Sequence, residues 1–234
     1  MTMSERAIKI ISMMFKSFWP LLKSGIAVTV PMAIISFTLG LVLAFIIAMM
    51  RISSIKPLVW IAKFYVWAVR GIPLIVLLFI IFYGLPGIGV IFNPFVSGVI
   101  GLTMSQGAYN SEIIRSAITS VNKGQWEATK ALGMNTAQSL RHIIVPQAAL
   151  VAMPPLGNQF TSLVKDTSLT ATLTVLELFQ KGQMLVAVYF EPLWLYIEVG
   201  IIYLIFNSVL SVGQNVLEKH LGKHLLALQT QVRK

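Results

Sequence analysis

Between Ser24 and Met50 the chain carries no ionisable side chain, and Arg51 and Lys56 close the run. A helix needs about 20 apolar residues to cross the hydrocarbon core, so this stretch reads as a membrane span. The rest of the chain agrees: 56% of its 234 residues are hydrophobic, 11% are charged, and mean hydropathy is +0.81. These values describe a polytopic membrane protein with room for about five spans. The chain has no cysteine, which removes disulfide, thiolate-metal and cysteine-nucleophile chemistry together. Its net charge of +10 sits on Lys and Arg at span ends and in connecting loops. That distribution fits a lipid bilayer and membrane topology, and no nucleic-acid partner is expected.

Three segments follow. Residues 1–24 are expected to be an interfacial amphipathic N-terminal segment, retained because no cleavable signal pattern is present. Lys9, Lys16 and Lys23 recur at a fixed spacing, with Ile10, Ile11, Met14, Phe15, Phe18 and Trp19 between them, as in a helix whose lysines snorkel. Residues 25–217 form the transmembrane domain. Its further spans run from about Leu58 to Tyr83, from Phe95 to Ile114, from just after Pro146, and from Leu193 to Val212. Residues 218–234 are a polar cytoplasmic tail. With five spans, Arg51 and Lys56, the stretch Arg115–Arg141, and Lys219, Lys223, Arg233 and Lys234 share one side, the cytoplasmic one. The N-terminal lysines then lie outside, against the rule, and a six-span arrangement with the N-terminus inside is the alternative.

Arg70 stands near the middle of the second span. Arginine at a helix centre costs about 2.5 to 3.5 kcal/mol on insertion scales, so such residues face polar cavities and serve function. Gly71 and Pro73 follow it and are expected to break the helix at that depth, where unwound backbone is tolerated only beside a cavity. The alternative is a shorter span beginning at Gly71, with Arg70 at the interface. Lys165-Asp166-Thr167-Ser168-Leu169 is a second polar interruption. Asp166, Thr167 or Ser168 is expected either to cap a helix running through Phe179 or to face a polar ligand. In the third span Gly98, Gly101, Ser105, Ala108 and Glu112 form a stripe suited to close helix packing, with Gln106, Tyr109 and Asn110 beside it. Glu112 and Arg115 are one turn apart and can pair. Glu198 is expected near the outer end of the fifth span, exposed at the interface.

The loop 120–146 is charged, with Lys123, Glu127, Lys130, Arg141 and His142, and belongs in water. Gly124–Leu132 can form one helix, Gly133 can end it in a left-handed turn, and Asn135 or Thr136 can start a second helix reaching Pro146. Two short helices hinged at Gly133 make an elbow that suits a groove on a partner, with Leu132 and Met134 as apolar anchors and Glu127 as a polar contact.

These residues resemble the permease subunits of ATP-binding-cassette importers, in the polar amino acid branch. The family's loop signature has Glu-Ala-Ala, then Gly, then Ile-x-Leu-Pro, and Glu127, Ala128, Gly133, Ile143 and Pro146 fall at its spacings. Thr129 replaces the second alanine and Val145 the leucine. Arg70-Gly71-Ile72-Pro73-Leu74, Tyr109-Asn110-Ser111-Glu112, Ala131-Leu132-Gly133-Met134 and Lys165-Asp166-Thr167-Ser168-Leu169 resemble the branch-specific stretches. The resemblance implies an all-α, type I importer permease fold with about five transmembrane helices and a cytoplasmic coupling-helix loop, in a bacterial inner membrane. It implies docking of cytoplasmic ATP-binding subunits on Glu127, Ala128, Leu132, Gly133 and Met134. A second permease subunit, identical or related, and an extracytoplasmic amino-acid-binding protein would complete the assembly. By resemblance and by charge, Arg70 would hold the substrate carboxylate and Asp166 its ammonium. Gly71, Pro73, Ser105, Gln106, Thr167 and Ser168 would shape the pocket.

The chain has no phosphate-loop pattern, so ATP and Mg are expected on the partner ATPase and no cofactor on this chain. His142, His220 and His224 are scattered and lack acidic companions for a metal. A passive channel and an integral membrane enzyme are the alternative classes, and no catalytic constellation favours the latter. An α-amino acid end is common to cystine, glutamine and basic residues, so the charges leave the substrate open among them.

Overall fold

The computed structural model describes the backbone of residues 3–232 and the side chains of residues 5–216. Among these residues all regular structure is helical: α1 (Met3–Ser24), α2 (Val30–Ile52), α3 (Lys56–Gly71), α4 (Leu74–Phe79), α5 (Pro94–Ser120), α6 (Lys123–Ala131), α7 (Thr136–Ser139), α8 (Val145–Asp166), α9 (Leu178–Tyr189) and α10 (Pro192–Val232). The polar character assigned to residues 218–234, and with it His220 and His224, lies outside the described side chains.

A π turn at Gly25–Thr29 joins α1 to α2, so Glu5–Ile52 runs as one helix of 48 residues. At 1.5 Å per residue it extends about 72 Å, more than twice the roughly 30 Å hydrocarbon thickness. The chain therefore crosses once between its N-terminal segment and Arg51. The six-span alternative needs a reversal before Arg51, and this helix has none; its course fits the N-terminal part of the five-span arrangement. Pro192–Val216 of α10 is also long and apolar enough to cross, as is the pair Lys56–Gly71 with Leu74–Ile88 taken together.

The second span breaks where its residues predict. Helix α3 ends at Gly71, and Pro73 takes an extended conformation (φ −61°, ψ 141°) before α4 begins at Leu74. Proline cannot donate into the preceding turn and disfavours helix in the residue before it. The elbow continues differently from expectation. The second helix does not stop at Pro146; helix runs from Thr136 through a π turn at Leu140–Ile144 into α8. Pro146 lacks the N–H that would bond the His142 carbonyl, and the widened turn sits where that bond is missing.

Two compact units are built from non-contiguous segments. The first comprises Met1–Thr38, Ile72–Thr103 and Thr161–Val209. In it Ile10, Met13, Ser17 and Leu21 form the buried face of α1, while Ile8, Ile11, Phe15 and Trp19 are exposed. Leu21 joins Leu178, Val199 and Ile202 in an apolar cluster. Ser17 Oγ donates to Glu198 Oε2 at 2.5 Å. Glu198 is thus buried, contrary to the expected interfacial exposure, because α1 covers it. The small-residue stripe works as close packing here: a Cβ on Gly98 would lie 3.0 Å from Thr170, and one on Gly101 would lie 2.6 Å from Leu78. Helix α9 is capped by Glu177, which accepts from Gln180 N at 2.7 Å and from Tyr203 Oη at 2.9 Å. The expected cap of this helix, Asp166, Thr167 or Ser168, is corrected accordingly. Residues Thr167–Leu173 instead form a 3₁₀ segment, and Asp166 makes no capping bond.

The second unit comprises Leu39–Gly71, Met104–Phe160 and Leu210–Lys234. Its helices α2 and α3 pack through Ile47, Ala62 and Val66, with Leu43, Met50 and Tyr65 around them. A glycine missed by the stripe, Gly107, lets Leu43 and Tyr65 approach: its Cβ would lie 2.7 Å from Leu43 Cδ2. Tyr65 Oη donates to the Met104 carbonyl at 2.6 Å. A second apolar cluster joins Ala117, Ile118 and Val121 of α5 to Ile144, Ala148 and Ala152, with Met49 and Ile52 of α2 and Trp126 of α6 against it.

Because the native chain has no cysteine, single cysteines report topology directly. Ser12→Cys in intact cells reacts with a membrane-impermeant maleimide and Ser54→Cys reacts only after permeabilisation. Protection of both in intact cells contradicts the single crossing of Glu5–Ile52.

Candidate functional site

Arg70 opens onto a cavity of about 370 Å³ within the second unit. Helix α5 contributes Tyr109, Glu112, Ile113, Ser116 and Ala117 to its wall, and α8 contributes Val151, Pro155 and Gln159. The contributors recur at helical spacing, so each helix turns one face to the cavity. The guanidinium carbon of Arg70 lies 4.9 Å from the Tyr109 ring centroid, a cation–π contact that fixes the charge without neutralising it.

Among the described residues Glu112 is the only carboxylate on this wall, and it is engaged already. Its Oε2 accepts from Arg51 Nη1, and its Oε1 accepts from Arg115 Nη2 at 2.5 Å and Nε at 3.2 Å. The expected Glu112–Arg115 pair is present and is extended to a triad by α2. Among the described residues three guanidiniums to one carboxylate leave this region positive, and Arg70 is the cation on the cavity wall without a carboxylate partner. An anion is the ligand such a cavity attracts.

The other expected site residues divide. Ser105 and Gln106 belong to the second unit but are buried inside it, and Gln106 Oε1 accepts from Asn110 Nδ2 at 3.2 Å. Gly71 is exposed, with open space around its Cα. Pro73, Asp166, Thr167 and Ser168 belong to the first unit. There Thr167 is fully buried and donates to the Val164 carbonyl at 2.8 Å, and Ser168 donates to the Lys165 carbonyl at 2.7 Å. Their hydroxyl protons are spent on their own backbone. Sequence reasoning missed Gln159, Val151 and Pro155 on the cavity wall, and Arg51 as a partner of Glu112. The paired prolines Pro154-Pro155 inside an apolar helix were the available signal, since two adjacent missing N–H groups leave carbonyls of the preceding turn without their donors although α8 stays continuous.

The elbow is built from local rules. Asn122 Oδ1 accepts from Gly124 N at 2.8 Å and caps α6. Gly133 adopts φ +73°, where only glycine is unstrained, and ends the helix: Gly133 N bonds Lys130 O at 2.9 Å and Met134 N bonds Thr129 O at 3.0 Å. Asn135 and Gln138 then exchange side chain to backbone bonds of 2.9 Å in a capping box. Glu127, Ala128, Leu132 and Gly133 face outward, Leu132 at 79% exposure, and Met134 is half-buried. Thr129, the departure from Glu-Ala-Ala, faces inward and donates to the Trp126 carbonyl at 2.9 Å, so its hydroxyl costs the packing little. Among the described residues no group of three His, Asp or Glu could hold a metal.

Residues 40–223 match the family model of the binding-protein-dependent transport system inner membrane component. The L-cystine transport system permease protein TcyB of Bacillus subtilis is 47% identical over 211 residues, covering 90% of each chain. The probable glutamine ABC transporter permease protein GlnM of the same organism is 37% identical, covering 91% of this chain and 98% of its own. Among solved structures, an amino acid ABC transporter crystallised with histidines superposes with a TM-score of 0.82 at 32% identity, covering 88% of this chain and 96% of that one. The inward-facing MetNI methionine ABC transporter shares the fold, with a TM-score of 0.72 at 19% identity over 86% and 96% of the two chains. A cytoplasmic elbow with an exposed apolar tip, helices that cross a membrane, and these matches together establish that the chain belongs to the binding-protein-dependent transport system inner membrane components, the non-catalytic permease subunits of ABC importers.

Proposed function

We propose that this permease carries a polar amino acid, cystine foremost, into a bacterial cytoplasm across the inner membrane by alternating access. The relatives at 47% and 37% identity are named for cystine and glutamine, both of which present an α-carboxylate. The observation that carries the reading is the Arg70 guanidinium, over the Tyr109 ring and without a carboxylate partner among the described residues, on the wall of a positive cavity. The carboxylate binds Arg70 as a charge-assisted pair, and the guanidinium fork donates to both of its oxygens.

Energy comes from a separate pair of cytoplasmic ATPase subunits, which hold the ATP and Mg and seat on Glu127, Leu132, Gly133 and Met134. A second permease, identical or related, completes the membrane part, and an extracytoplasmic binding protein delivers substrate. The second unit supplies a path for the force. Trp126 and Ile144 of the elbow region pack on Ala117 and Ile118 of α5. The same stretch of α5 presents Glu112, Ile113, Ser116 and Ala117 to the cavity. Close-packed interiors move as bodies, so displacement of the elbow displaces the cavity wall.

Two outcomes follow. Arg70→Ala in the assembled transporter reduces uptake at least tenfold, in line with loss of a charged hydrogen bond worth about 1.5–3 kcal/mol; unchanged uptake with unchanged affinity contradicts the carboxylate role. Glu127→Lys, or replacement of Gly133 by Val, lowers copurification of the ATPase. Full retention with full substrate-stimulated hydrolysis rules out docking at the elbow.

A further inference from the structure

Helix α8 contains Pro154 and Pro155 in succession. An α-helical carbonyl is bonded by the N–H four residues on, and in a tighter 3₁₀ turn by the N–H three residues on. For Val151 these two donors are the nitrogens of Pro155 and Pro154, and neither carries a hydrogen. Val151 is therefore the one residue of α8 whose carbonyl is denied both of its regular partners by sequence alone. It also lies on the cavity wall, with Pro155 and Gln159 on the same helix face and Arg70 lining the cavity as well. The neighbouring polar residues of α8 are turned to other partners: Gln214 Nε2 donates to the Pro154 carbonyl at 3.2 Å and to Asn158 Oδ1 at 3.4 Å.

A bound amino acid needs acceptors for an ammonium as well as a donor for its carboxylate. Glu112, the one carboxylate on the wall among the described residues, is shared between Arg51 and Arg115 and brings no free charge. Tyr109 and Ser116 add hydroxyls that can accept, and α8 adds the Val151 carbonyl and the Gln159 side-chain oxygen, acceptors with no proton of their own. We propose that the substrate's α-ammonium is bound by α8, through the Val151 carbonyl freed by Pro154-Pro155 together with Gln159, with its α-carboxylate on Arg70 in the same cavity. This rests on the reading of Arg70 as the carboxylate site and assigns the other end of the zwitterion. Backbone carbonyls released by a broken hydrogen-bond ladder are suitable cation ligands inside a membrane, because they carry partial charge without the desolvation cost of a carboxylate. The arrangement selects for the α-amino acid end and is indifferent to the side chain beyond it.

The test is equilibrium binding of radiolabelled L-cystine to the purified permease–ATPase complex in nanodiscs without the binding protein, with N,N′-diacetylcystine as competitor. Acetylation keeps both carboxylates and removes both ammonium charges. The wild-type complex prefers cystine by at least tenfold. Pro155→Ala returns an N–H to Val151 and restores the helical bond, so the carbonyl is occupied; this change favours helix and the variant folds. Cystine binding weakens about tenfold in Pro155→Ala and in Gln159→Leu, diacetylcystine binding is unchanged, and the preference disappears. Subunit copurification and a single symmetric elution peak verify assembly of each variant. Wild-type preference retained in both variants, while Arg70→Ala abolishes binding of both ligands, overturns the α8 assignment alone. Undiminished binding of both ligands to Arg70→Ala overturns the carboxylate reading on which it rests.

Discussion

The second unit depends on one apolar junction, centred on Ile118 and Ile144, both essentially without solvent contact. Three elements converge there: the α5 helix that walls the cavity, the elbow after Gly133, and the cytoplasmic end of α2. Each is anchored by a different device. Close packing holds α5 to the elbow, the Schellman turn and capping box hold the elbow's shape, and the Arg51–Glu112–Arg115 triad clamps α2 to α5. Without that junction the elbow is a surface loop and the cavity an isolated hollow. With it, a push on Leu132 and a change at Arg70 are parts of one packed body.

Charge is managed by separate means in the two units. In the first unit Glu177 and Glu198 are buried on hydroxyl and backbone donors, through Tyr203, Gln180 and Ser17. In the second unit the guanidiniums outnumber the carboxylate, and the surplus falls on Arg70 at the cavity. A membrane protein tolerates such groups only where partners or water receive them. In the first unit Thr167 and Ser168 donate to their own helix, while Ser36 Oγ, Ser97 Oγ and Asn207 Oδ1 are buried without a partner. The second presents one cation, Arg70, to the cavity without a carboxylate partner among the described residues.

Much of this was legible in the residues because the controlling rules are local. Gly133 demanded a left-handed turn, Asn135 a cap, and Pro73 a break, and each rule acts within a few residues. Arg70 announced itself by cost. What sequence left hidden depended on which helices meet. Glu198 looked interfacial until α1 covered it, and Ser17 became its donor across 181 positions of chain. Asp166 and its hydroxyl neighbours looked like a cap or a ligand cluster, but Thr167 and Ser168 donate to backbone of their own turn and Glu177 caps α9. Gln106 had the chemistry of a pocket residue and the wrong face of α5. Pro154-Pro155 was visible and unread, since its consequence appears only when Val151 is known to border the cavity with Arg70.

The central claim is that force from the ATPase reaches the cavity through the junction at Ile144. The most direct measurement is the number of ATP molecules hydrolysed per substrate imported, in proteoliposomes containing the full transporter with Ile144→Ala. Removing those buried methyl groups leaves a cavity between elbow and α5 and loosens the contact without touching either the docking surface or Arg70. The account predicts that the ATPase still copurifies and still hydrolyses ATP, while the ATP spent per substrate rises several-fold. Hydrolysis and import falling together at an unchanged ratio, or neither changing, would contradict it.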